Sequence, residues 1–296
     1  MTIQELSQKI GISLGYLSIL HIHHDKYYKT YYIKKKYGNK QRLIASPNYE
    51  IKAIQSWLLR NILNKVEISD RATGFVSQKN IKDNATYHQE KKFILCVDIV
   101  DFFPSIKKDK ILERLKLVLN DSDLAYFVSE ICTYQNYLPQ GGVTSPILSN
   151  IVFKPIDDEI KNLCDESGIV YSRYADDLCF SSNYSKELLE IKEKISIILR
   201  DQGFELNEDK TRLMTGKYKK IVTGLYLNSG NITVGRFRKR YVRSALYNYY
   251  IKKDTNINMN EIYGMISFIS GIENDYKFKV KKYIKSLIIK SKLTLN

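Results

Sequence analysis

The sequence predicts a fold of the α+β class, in which helices cover an antiparallel sheet. From Asp98 onward, the segments follow the order strand, helices, two strands, helix, strand, which is the order of a split βαβ unit. Residues 93–99 are rich in β-branched and apolar side chains, as a buried strand requires. Residues 169–182 are typical of a β-hairpin, with Asp176 and Asp177 at its tip.

The N-terminal part is predicted to consist of short helices followed by a hairpin. Short helices around Gly11 and Gly15 are expected in residues 2–22. Strands are expected at about 27–34 and 41–45, in a segment rich in Tyr and Lys, with a turn at Gly38-Asn39.

Serine and proline residues mark the starts of the helices that follow the hairpin. Ser46-Pro47 is predicted to open an amphipathic helix that continues to about Lys65. Ser105 and Ser122 are predicted to cap two helices after the first buried strand, because serine is a favoured N-cap residue.

The remaining elements are predicted from proline, glycine and apolar patterns. A helix should begin at Pro146 and continue to about Glu166, with a kink at Pro155. After the hairpin, a helix is expected over residues 185–202, and a strand is expected over residues 221–227.

Three carboxylates are predicted to meet at one end of this sheet. Aspartate is common in turns, so the Asp176-Asp177 pair taken alone indicates little. Asp98 ends a buried strand, however, where an unpaired carboxylate would be costly to bury. If the strand pairs with the hairpin, the three acids converge, and they cannot all stay ionised without cations between them. Mg²⁺ suits such hard oxygen ligands.

The charge of the chain indicates a polyanionic partner. The 296 residues carry a formal net charge of +15, which favours nucleic acid or an anionic membrane. A membrane is the weaker alternative, because no apolar run is long enough to span a bilayer and the N-terminus does not resemble a signal peptide. Four widely spaced cysteines without a Cys-x-x-Cys pair indicate reduced core residues in a cytoplasmic protein.

The C-terminal segment 236–296 concentrates the positive charge. It holds fourteen Lys and Arg residues against four Asp and Glu residues, with tyrosines interleaved. Basic side chains neutralise phosphates and aromatic rings stack on unpaired bases, so this composition suits looped or single-stranded RNA. A solvated helical face with tyrosines in its core is an equal alternative, and the basic cluster at 236–240 favours binding. The candidate RNA-binding residues are Arg236, Arg238, Lys239, Arg240 and Arg243.

Five short motifs follow one another in an order that carries a family resemblance. Residues 93–106, Leu138-Pro139-Gln140-Gly141 with Ser145-Pro146, and Tyr174-Ala175-Asp176-Asp177 resemble the palm motifs of reverse transcriptases. Asn84-Ala85-Thr86-Tyr87-His88 is similar to an Asn-Ala-x-x-His signature, and Val222-Thr223-Gly224 to a Val-Thr-Gly signature. Both signatures are characteristic of bacterial retron reverse transcriptases, which the chain therefore resembles.

The resemblance implies an α+β right-hand polymerase fold with fingers, a palm built on an antiparallel sheet, and a short helical thumb. N-terminal helices and fingers would span residues 1–92. The palm would span 93–227, with finger-side helices inserted, and a basic thumb that binds RNA would span 228–296. No fused effector domain is expected once these parts are counted.

The resemblance also assigns the metal-binding and catalytic residues. Asp98 and Asp176 would bridge two Mg²⁺ ions, with Asp177 in support, for phosphoryl transfer by the two-ion arrangement. Lys210 aligns with a lysine proposed to protonate the departing pyrophosphate.

A second set of residues would bind the incoming dNTP. Arg42, assisted by one of the lysines at 34–36, would grip the triphosphate. Phe103 would pack under the sugar, while Phe102 points into the core by strand-like alternation. Asp101 would line the sugar pocket through its main chain, its side chain serving at most to cap a turn. Gln140 would lie beside the nucleotide, where Gly141 permits close backbone approach.

Two further residues are expected near the primer or the RNA. Gly224 would belong to a primer-gripping turn. His88 is ordinarily interpreted as a core histidine bonded to backbone, while the signature that contains it suggests a role specific to the RNA.

The implied function is the synthesis of branched DNA. A retron enzyme copies part of a cognate structured noncoding RNA, starting from the 2′-hydroxyl of an internal guanosine, and the multicopy single-stranded DNA (msDNA) stays linked to that RNA. Many such complexes join a separate effector protein in antiphage defence. Two alternatives stay open: another bacterial reverse transcriptase, of the group II intron or abortive-infection kind, and a noncatalytic RNA-binding scaffold.

Overall fold

The computed structural model describes residues 1–34, 41–216, 219–228 and 230–293. Within these residues, helices and antiparallel strands follow one another as the α+β class predicts. The expected turn at Gly38-Asn39 lies outside the described residues, as do Lys35 and Lys36.

The N-terminal elements are two short helices, a hairpin and a longer helix. They are α1 (Ile3–Ile10), α2 (Leu14–Ile22), β1 (Tyr28–Lys34), β2 (Gln41–Pro47) and α3 (Tyr49–Asn61). The predicted start of the longer helix at Ser46-Pro47 is wrong, because both residues pair with β1. Asn48 is the N-cap instead, and its side chain accepts a hydrogen bond from the Ile51 N–H at 3.1 Å. The helix also ends before Lys65, which lies in a separate 3₁₀ turn.

The central sheet has the predicted split βαβ topology. Its elements in chain order are α4 (Ile81–Thr86), β3 (Phe93–Asp98), α5 (Phe102–Ser105), α6 (Lys108–Leu119), α7 (Ser122–Ile131), α8 (Ser145–Glu166), β4 (Val170–Tyr174), β5 (Asp177–Ser182), α9 (Ser185–Asp201) and β6 (Arg212–Met214). The strands pair antiparallel in the order β4-β5-β3-β6, which confirms the expected arrangement. Strand β6 was not predicted, because three residues are too few to show an alternating pattern.

Two predicted helix caps are wrong. Ser105 ends the single turn of α5, and α6 begins after Lys107. Asp121 caps α7, its carboxylate accepting a hydrogen bond from the Leu124 N–H at 2.8 Å, so that Ser122 is the first residue of the helix. In each case a nearby residue is the N-cap, and the presence of a serine alone does not identify that position.

Helix α8 continues through Pro155, as predicted, and it covers one face of the sheet. The kink at that proline stays a prediction. The strand-like alternation expected at Phe102 and Phe103 is wrong, because these residues form the helical turn α5. Phe102 nevertheless lies in the core, while Phe103 is half-buried.

A second, three-stranded sheet follows the central one. Its strands are β7 (Lys220–Val222), β8 (Leu225–Asn228) and β9 (Asn231–Thr233), paired antiparallel in chain order. The predicted single strand over 221–227 is therefore wrong, because Thr223 and Gly224 turn the chain, with φ of +47° and +77°. A left-handed turn permits the tight reversal between β7 and β8.

Three helices complete the described chain: α10 (Arg236–Tyr250), α11 (Met259–Ile272) and α12 (Tyr276–Leu293). Their apolar residues share a core with Val222, Leu225 and Leu227 of the second sheet. The boundary expected after residue 227 falls inside β8, so we propose that the sheet β7–β9 belongs with the thumb helices.

The four cysteines agree with the sequence-based expectation of free core residues. Cys96, Cys132, Cys164 and Cys179 are all free and buried, as predicted. Among the described residues, no helix combines the length and apolar character needed to cross a membrane.

Candidate active site

The register of the central sheet brings the predicted acids together. Asp98 ends β3 directly opposite Asp177, the first residue of β5. Asp176 lies in the turn between β4 and β5, and its carbonyl accepts a hydrogen bond from the Ile99 N–H at 3.1 Å. The three carboxylates therefore belong to one end of the sheet, as the sequence predicted.

Asp176 and Asp177 lie in an environment that disfavours their ionised forms. Burial, followed by the charges of Asp176 and Asp98, raises the pKa of Asp177 from 3.8 to about 6. Burial and the charge of Asp98 also raise the pKa of Asp176. The positive charges of Lys210 and Arg212 oppose the shift at Asp177. A carboxylate cluster whose members discourage each other's ionisation has an affinity for cations.

Lys210 holds one of these carboxylates. Its Nζ donates to both oxygens of Asp98, at 2.7 and 2.9 Å, while more than half of the lysine side chain is exposed. Asp98 itself is buried. The ammonium group thus supplies the positive charge that this buried carboxylate requires.

The donor set fits Mg²⁺ rather than a metal that needs a complete protein cage. Within the described ranges, no group of three or more His, Cys, Asp or Glu residues is close enough to hold a metal ion unaided. Mg²⁺ is usually bound by one or two carboxylates together with substrate phosphates and water. Beside the acids is a cleft of about 290 Å³. It is lined by Cys96, Val97, Asp98, Asp177, Asp209, Lys210 and Arg212.

Arg42 lies on β2, on the side of the molecule where the acids meet. It is exposed and pairs across the hairpin with Ile33. Its positive charge opposes the rise in the pKa of Asp176, as the smallest of the effects that act on that residue. Lys34 is the described member of the assisting lysines, and it lies opposite Gln41 at the described end of the hairpin.

The loop of Gln140 and Gly141 is joined to the same strand. The Gln140 carbonyl accepts a hydrogen bond from the Ala45 N–H at 2.9 Å. Gly141 has φ +123°, and a Cβ at this position would lie 2.9 Å from the Ala45 carbonyl oxygen. The predicted close backbone approach therefore exists, and its partner is β2. Oε1 of Gln140 is buried without a hydrogen-bond partner among the residues that the structure describes.

The residues expected at the sugar of the nucleotide lie around α5. Asp101 has φ +42° and makes no side-chain cap, so the expected capping role of its side chain is wrong; its carbonyl accepts from the Ser105 N–H at 2.9 Å. Phe103 packs against Phe102 and also against Phe75, with ring centroids 6.0 Å apart in the second pair. Phe75 is partly exposed with φ +62°, and the sequence analysis missed it. The sequence gives no indication of this backbone conformation, because an aromatic residue does not favour a positive φ.

His88 does not reach the surface. It is completely buried, its Nδ1 lies 2.8 Å from Ser181 Oγ, and its Nε2 lies 2.7 Å from Ser172 Oγ. The Ser172 hydroxyl donates to Asn84 Oδ1 at 2.7 Å, so it accepts from a protonated Nε2, and Nδ1 accepts from Ser181. Burial lowers the pKa of His88 to about 3 and keeps the ring neutral. The expected contact with RNA is therefore wrong.

The turn that contains Gly224 is hydrogen-bonded to α4, the helix in which the Asn84–His88 signature begins. Thr223 Oγ1 donates to the Ile81 carbonyl at the start of α4, at 3.0 Å. The Gly224 carbonyl accepts a hydrogen bond from Arg238 Nη1 at 3.3 Å. The Asn-Ala-x-x-His segment is thus linked to the turn of the second sheet, and that turn is linked to α10.

The candidate RNA-binding cations differ in their surroundings. Arg236 and Arg240 are exposed on α10, and Arg243 lies 4.6 Å from the ring centroid of Tyr283. Lys239 is half-buried and pairs with Glu273 at 2.9 Å. Its expected RNA contact is not supported, because the acid already neutralises its charge.

Several residues of this region were missed by the sequence analysis. Arg212 and Asp209 line the cleft, but they lie in or next to the short β6 region that no pattern marks. Arg173 and Asp157 form a completely buried ion pair beneath the hairpin. An arginine in a predicted buried hairpin strand was the available signal for that pair.

An antiparallel split βαβ sheet with three carboxylates at one end, flanked by a fingers hairpin and a helical thumb, defines a nucleic-acid polymerase of the right-hand class. The comparisons with known proteins agree. The family "Reverse transcriptase (RNA-dependent DNA polymerase)" matches residues 33–254. Over 286 residues the chain is 31% identical to "Retron Ec86 reverse transcriptase" of Escherichia coli, covering 96% of this chain and 89% of the relative.

A second relative and a solved structure extend this result. "Retron Ec83 reverse transcriptase" of Escherichia coli is 33% identical over 280 residues, covering 90% of this chain and 89% of the relative. Telomerase from Candida albicans, solved with a fragment of telomeric RNA, has a similar fold with a TM-score of 0.57 at 12% identity, covering 89% of this chain and 60% of the telomerase. The chain belongs to the reverse transcriptase family, within its retron group, and it is an RNA-directed DNA polymerase.

Proposed function

We propose that this chain is the polymerase of a retron that copies part of one cognate structured noncoding RNA into msDNA. Synthesis starts from the 2′-hydroxyl of an internal guanosine, and the DNA remains branched from the RNA. The retron relatives and the two short signatures support this proposal. The single observation that carries the chemistry is the pairing of Asp98 with Asp177, with Asp176 in the adjoining turn.

The three carboxylates are the proposed metal ligands. Bound there, two Mg²⁺ ions would supply the positive charge that in-line phosphoryl transfer needs at the attacking hydroxyl and at the leaving pyrophosphate. Asp98 and Asp176 would hold these ions, with Asp177 in support. The raised pKa values of Asp176 and Asp177 support this assignment, because added positive charge would offset the burial and the repulsion that cause them.

Five residues form the proposed nucleotide pocket. Arg42 would bind oxygens of the triphosphate through its planar guanidinium. Phe103 would pack under the sugar and exclude a 2′-hydroxyl, and the main chain of Asp101 would line the same side. Gln140 would lie beside the nucleotide, where its unpartnered buried Oε1 is available as an acceptor. Gly141 keeps this loop against β2.

Lys210 has two successive partners in this proposal. It would leave Asp98 when that carboxylate binds a metal ion, because one carboxylate face cannot hold both. The released ammonium would then lie beside the leaving pyrophosphate, where it could donate a proton from Nζ. The exposure of the lysine supports such a movement.

The thumb is the proposed reader of the RNA. Arg236, Arg240 and Arg243 present positive charge on α10, and exposed aromatic rings lie among them, such as Phe237 with 82% of its surface accessible. Phosphates would pair with the arginines while unpaired bases stack on the rings.

A structural test of the nucleic acid decides between this proposal and a conventional reverse transcriptase. The protein is coexpressed with the noncoding RNA from its own locus, and the copurified nucleic acid is treated with a 2′,5′ debranching enzyme. We expect the treatment to release linear DNA with a changed gel mobility, and Asp176→Asn to yield RNA without DNA. Linear, conventionally primed DNA alone would overturn the proposal that the product is branched msDNA.

We also propose a separate effector protein and a role in antiphage defence. The resemblance to retron enzymes supports both. With the complete locus present, we expect phage plating to fall, and we expect Asp176→Asn in the same locus to restore it. Equal plating with the intact and the substituted locus would contradict the defence role while leaving DNA synthesis untouched.

A further inference from the structure

The turn that carries Asp176 has a backbone conformation that needs support. Ala175 has φ +57°, in the left-handed region that residues with a Cβ avoid at a cost of about 1–2 kcal/mol. Such a conformation persists only where the surrounding structure determines it. The contacts of Ala175 therefore decide where the Asp176 carboxylate lies.

A buried arginine reaches this turn from beneath the sheet. Arg173 on β4 is completely buried, and its Nη1 donates to the Ala175 carbonyl at 3.1 Å. Nε and Nη2 donate to the two carboxylate oxygens of Asp157 on α8, at 2.8 and 2.7 Å. Nη2 also donates to Asn150 Oδ1 at 3.0 Å, and the guanidinium lies 4.6 Å from the ring centroid of Phe153. All three guanidinium nitrogens are engaged, so the group has one orientation.

These contacts fix the peptide planes on both sides of Asp176. The peptide between Ala175 and Asp176 is planar, so a hydrogen bond to its oxygen also places its nitrogen. Arg173 provides that bond, and the Ile99 N–H binds the Asp176 carbonyl on the other side. The Cα of Asp176 is thereby held between helix α8 and strand β3.

The segment before α4 also packs against the turn, through Gly74. A Cβ at Gly74 would lie only 2.5 Å from the Ala175 nitrogen, so the two backbones are in direct contact. Asn150 Nδ2 donates to the Gly74 carbonyl at 3.0 Å. Asn150 therefore joins Arg173 to the segment that packs on the turn.

We propose that Arg173, held in place by Asp157, is a positioning residue for metal binding. Its hydrogen bond to Ala175 keeps the Asp176 carboxylate where it can share cations with Asp98. A buried ion pair by itself contributes little stability compared with apolar residues of similar volume, so its presence beneath the turn points to geometry rather than to folding energy. The inference rests on the proposed metal-binding role of Asp176.

Arg173→Lys tests this role. Lysine keeps the positive charge, but a single ammonium group cannot bind Asp157 in the bidentate geometry and reach the Ala175 carbonyl as well. We expect the affinity for Mn²⁺, measured by electron paramagnetic resonance on the nucleotide-free protein, to fall by about tenfold or more, as for other residues that orient metal ligands. The Mg²⁺ concentration for half-maximal DNA synthesis should rise by a similar factor, with the KM for dNTP unchanged.

Tyr171→Phe is the matched control. The Tyr171 hydroxyl donates to the same Asp157 at 2.7 Å, but it does not contact the turn. This variant should lower the melting temperature and leave the Mn²⁺ affinity at the wild-type value. If Arg173→Lys fails to fold, Asn150→Ala takes its place, with an expected fall in Mn²⁺ affinity in the same direction.

Two results would overturn the proposal in distinguishable ways. A folded Arg173→Lys or Asn150→Ala protein with wild-type Mn²⁺ affinity would refute the positioning role alone. An Asp176→Asn protein that binds Mn²⁺ as the wild type does would refute the metal assignment, and the positioning role with it.

Discussion

The carboxyl group of Asp177 lies in surroundings that favour its neutral form. Its pKa is raised from 3.8 to about 6, first by burial and then by the neighbouring acids. The folded protein therefore binds this proton more tightly than the unfolded chain does. Without metal, the contribution of Asp177 to stability decreases as the pH rises from about 3.8 to about 6, and it stays low above that range.

Asp177→Asn should consequently stabilise the metal-free protein at neutral pH. The gain in the free energy of unfolding, measured by urea denaturation in EDTA, should be near zero below pH 4 and reach at most about 3 kcal/mol above pH 6. In saturating Mg²⁺ at pH 8, the wild type should have the larger free energy of unfolding, because it would bind the metal more tightly than Asp177→Asn does. A gain that is constant from pH 4 to pH 8 would contradict this explanation.

The buried ring of His88 is a structural element of the sheet. His88→Ala would remove the hydrogen-bond donor to Ser172 and the acceptor of the Ser181 hydroxyl, and it would create a cavity between β4, β5 and α4. We expect the free energy of unfolding to fall by about 2–4 kcal/mol. The affinity for the cognate RNA, measured on the folded fraction by filter binding, should remain within twofold of the wild type. A large loss of RNA affinity in a stable variant would restore the role that the signature first suggested.

At the scale of elements, the hairpin that carries the acids is supported by segments distant in the sequence. Gly74 lies a hundred residues before the turn on which it packs. The side chain of Arg173 binds the Ala175 carbonyl, although its place in a buried strand would predict an apolar residue there. Regular elements such as the hairpin itself were predictable, since alternation and turn residues are local signals. Contacts between distant segments have no local signal, and this is why the support of the turn was missed.

Gly74→Ala should disturb this contact selectively. The added Cβ would meet the backbone nitrogen of Ala175 at 2.5 Å, so the turn has to move. We expect kcat for DNA synthesis to fall by about a hundredfold, because displacements of about 1 Å have such effects on catalytic geometry. Binding of RNA should be retained.

Gly264→Ala is the control for this substitution. It places a methyl group on α11, where nothing lies within 4 Å, and it should preserve activity while slightly stabilising the helix. If Gly74→Ala retained full activity with an unchanged melting temperature, close packing on the turn would be unimportant for catalysis.

The second sheet shows a different limit of sequence-based prediction at this scale. Residues 221–227 have one apolar pattern, yet Thr223 and Gly224 divide them into two strands. The Thr223 hydroxyl is bound to the start of α4, which holds this turn in place. Only the three-dimensional contact distinguishes a turn here from a continuous strand.

At the scale of the whole molecule, the order of the elements and the convergence of the acids were predictable from the sequence. Three strands of the four-stranded sheet, β3, β4 and β5, were predictable in this way, whereas the edge strand β6 was not. Whether a given basic side chain is exposed or paired with an acid was not predictable, because Lys239 and Arg240 are adjacent in the sequence and carry the same charge. Glu273, more than thirty residues away, neutralises the first and leaves the second exposed.

The RNA affinity of the complete protein should reflect this difference. Arg236→Gln with Arg240→Gln should weaken binding of the cognate RNA and lower the slope of log affinity against log salt by about 2, because each arginine would neutralise one phosphate. Lys239→Gln should change the slope little, because its charge is already balanced. Fluorescence anisotropy between about 50 and 300 mM salt would measure both slopes. Equal effects of the two changes would indicate that Lys239 leaves Glu273 to bind RNA.

The pair of Arg173 and Asp157 has a consequence for how related sequences diverge. Loss of either partner would leave an unpaired charge in the interior, at a cost of about 3–5 kcal/mol in stability. Simultaneous replacement of both residues by apolar residues would be tolerated by the fold. Drift at positions 157 and 173 should therefore be concerted across homologues. Homologues that have lost both charges would need another hydrogen-bond donor for the carbonyl of residue 175. We expect that donor to appear in the same homologues in which positions 157 and 173 are both apolar.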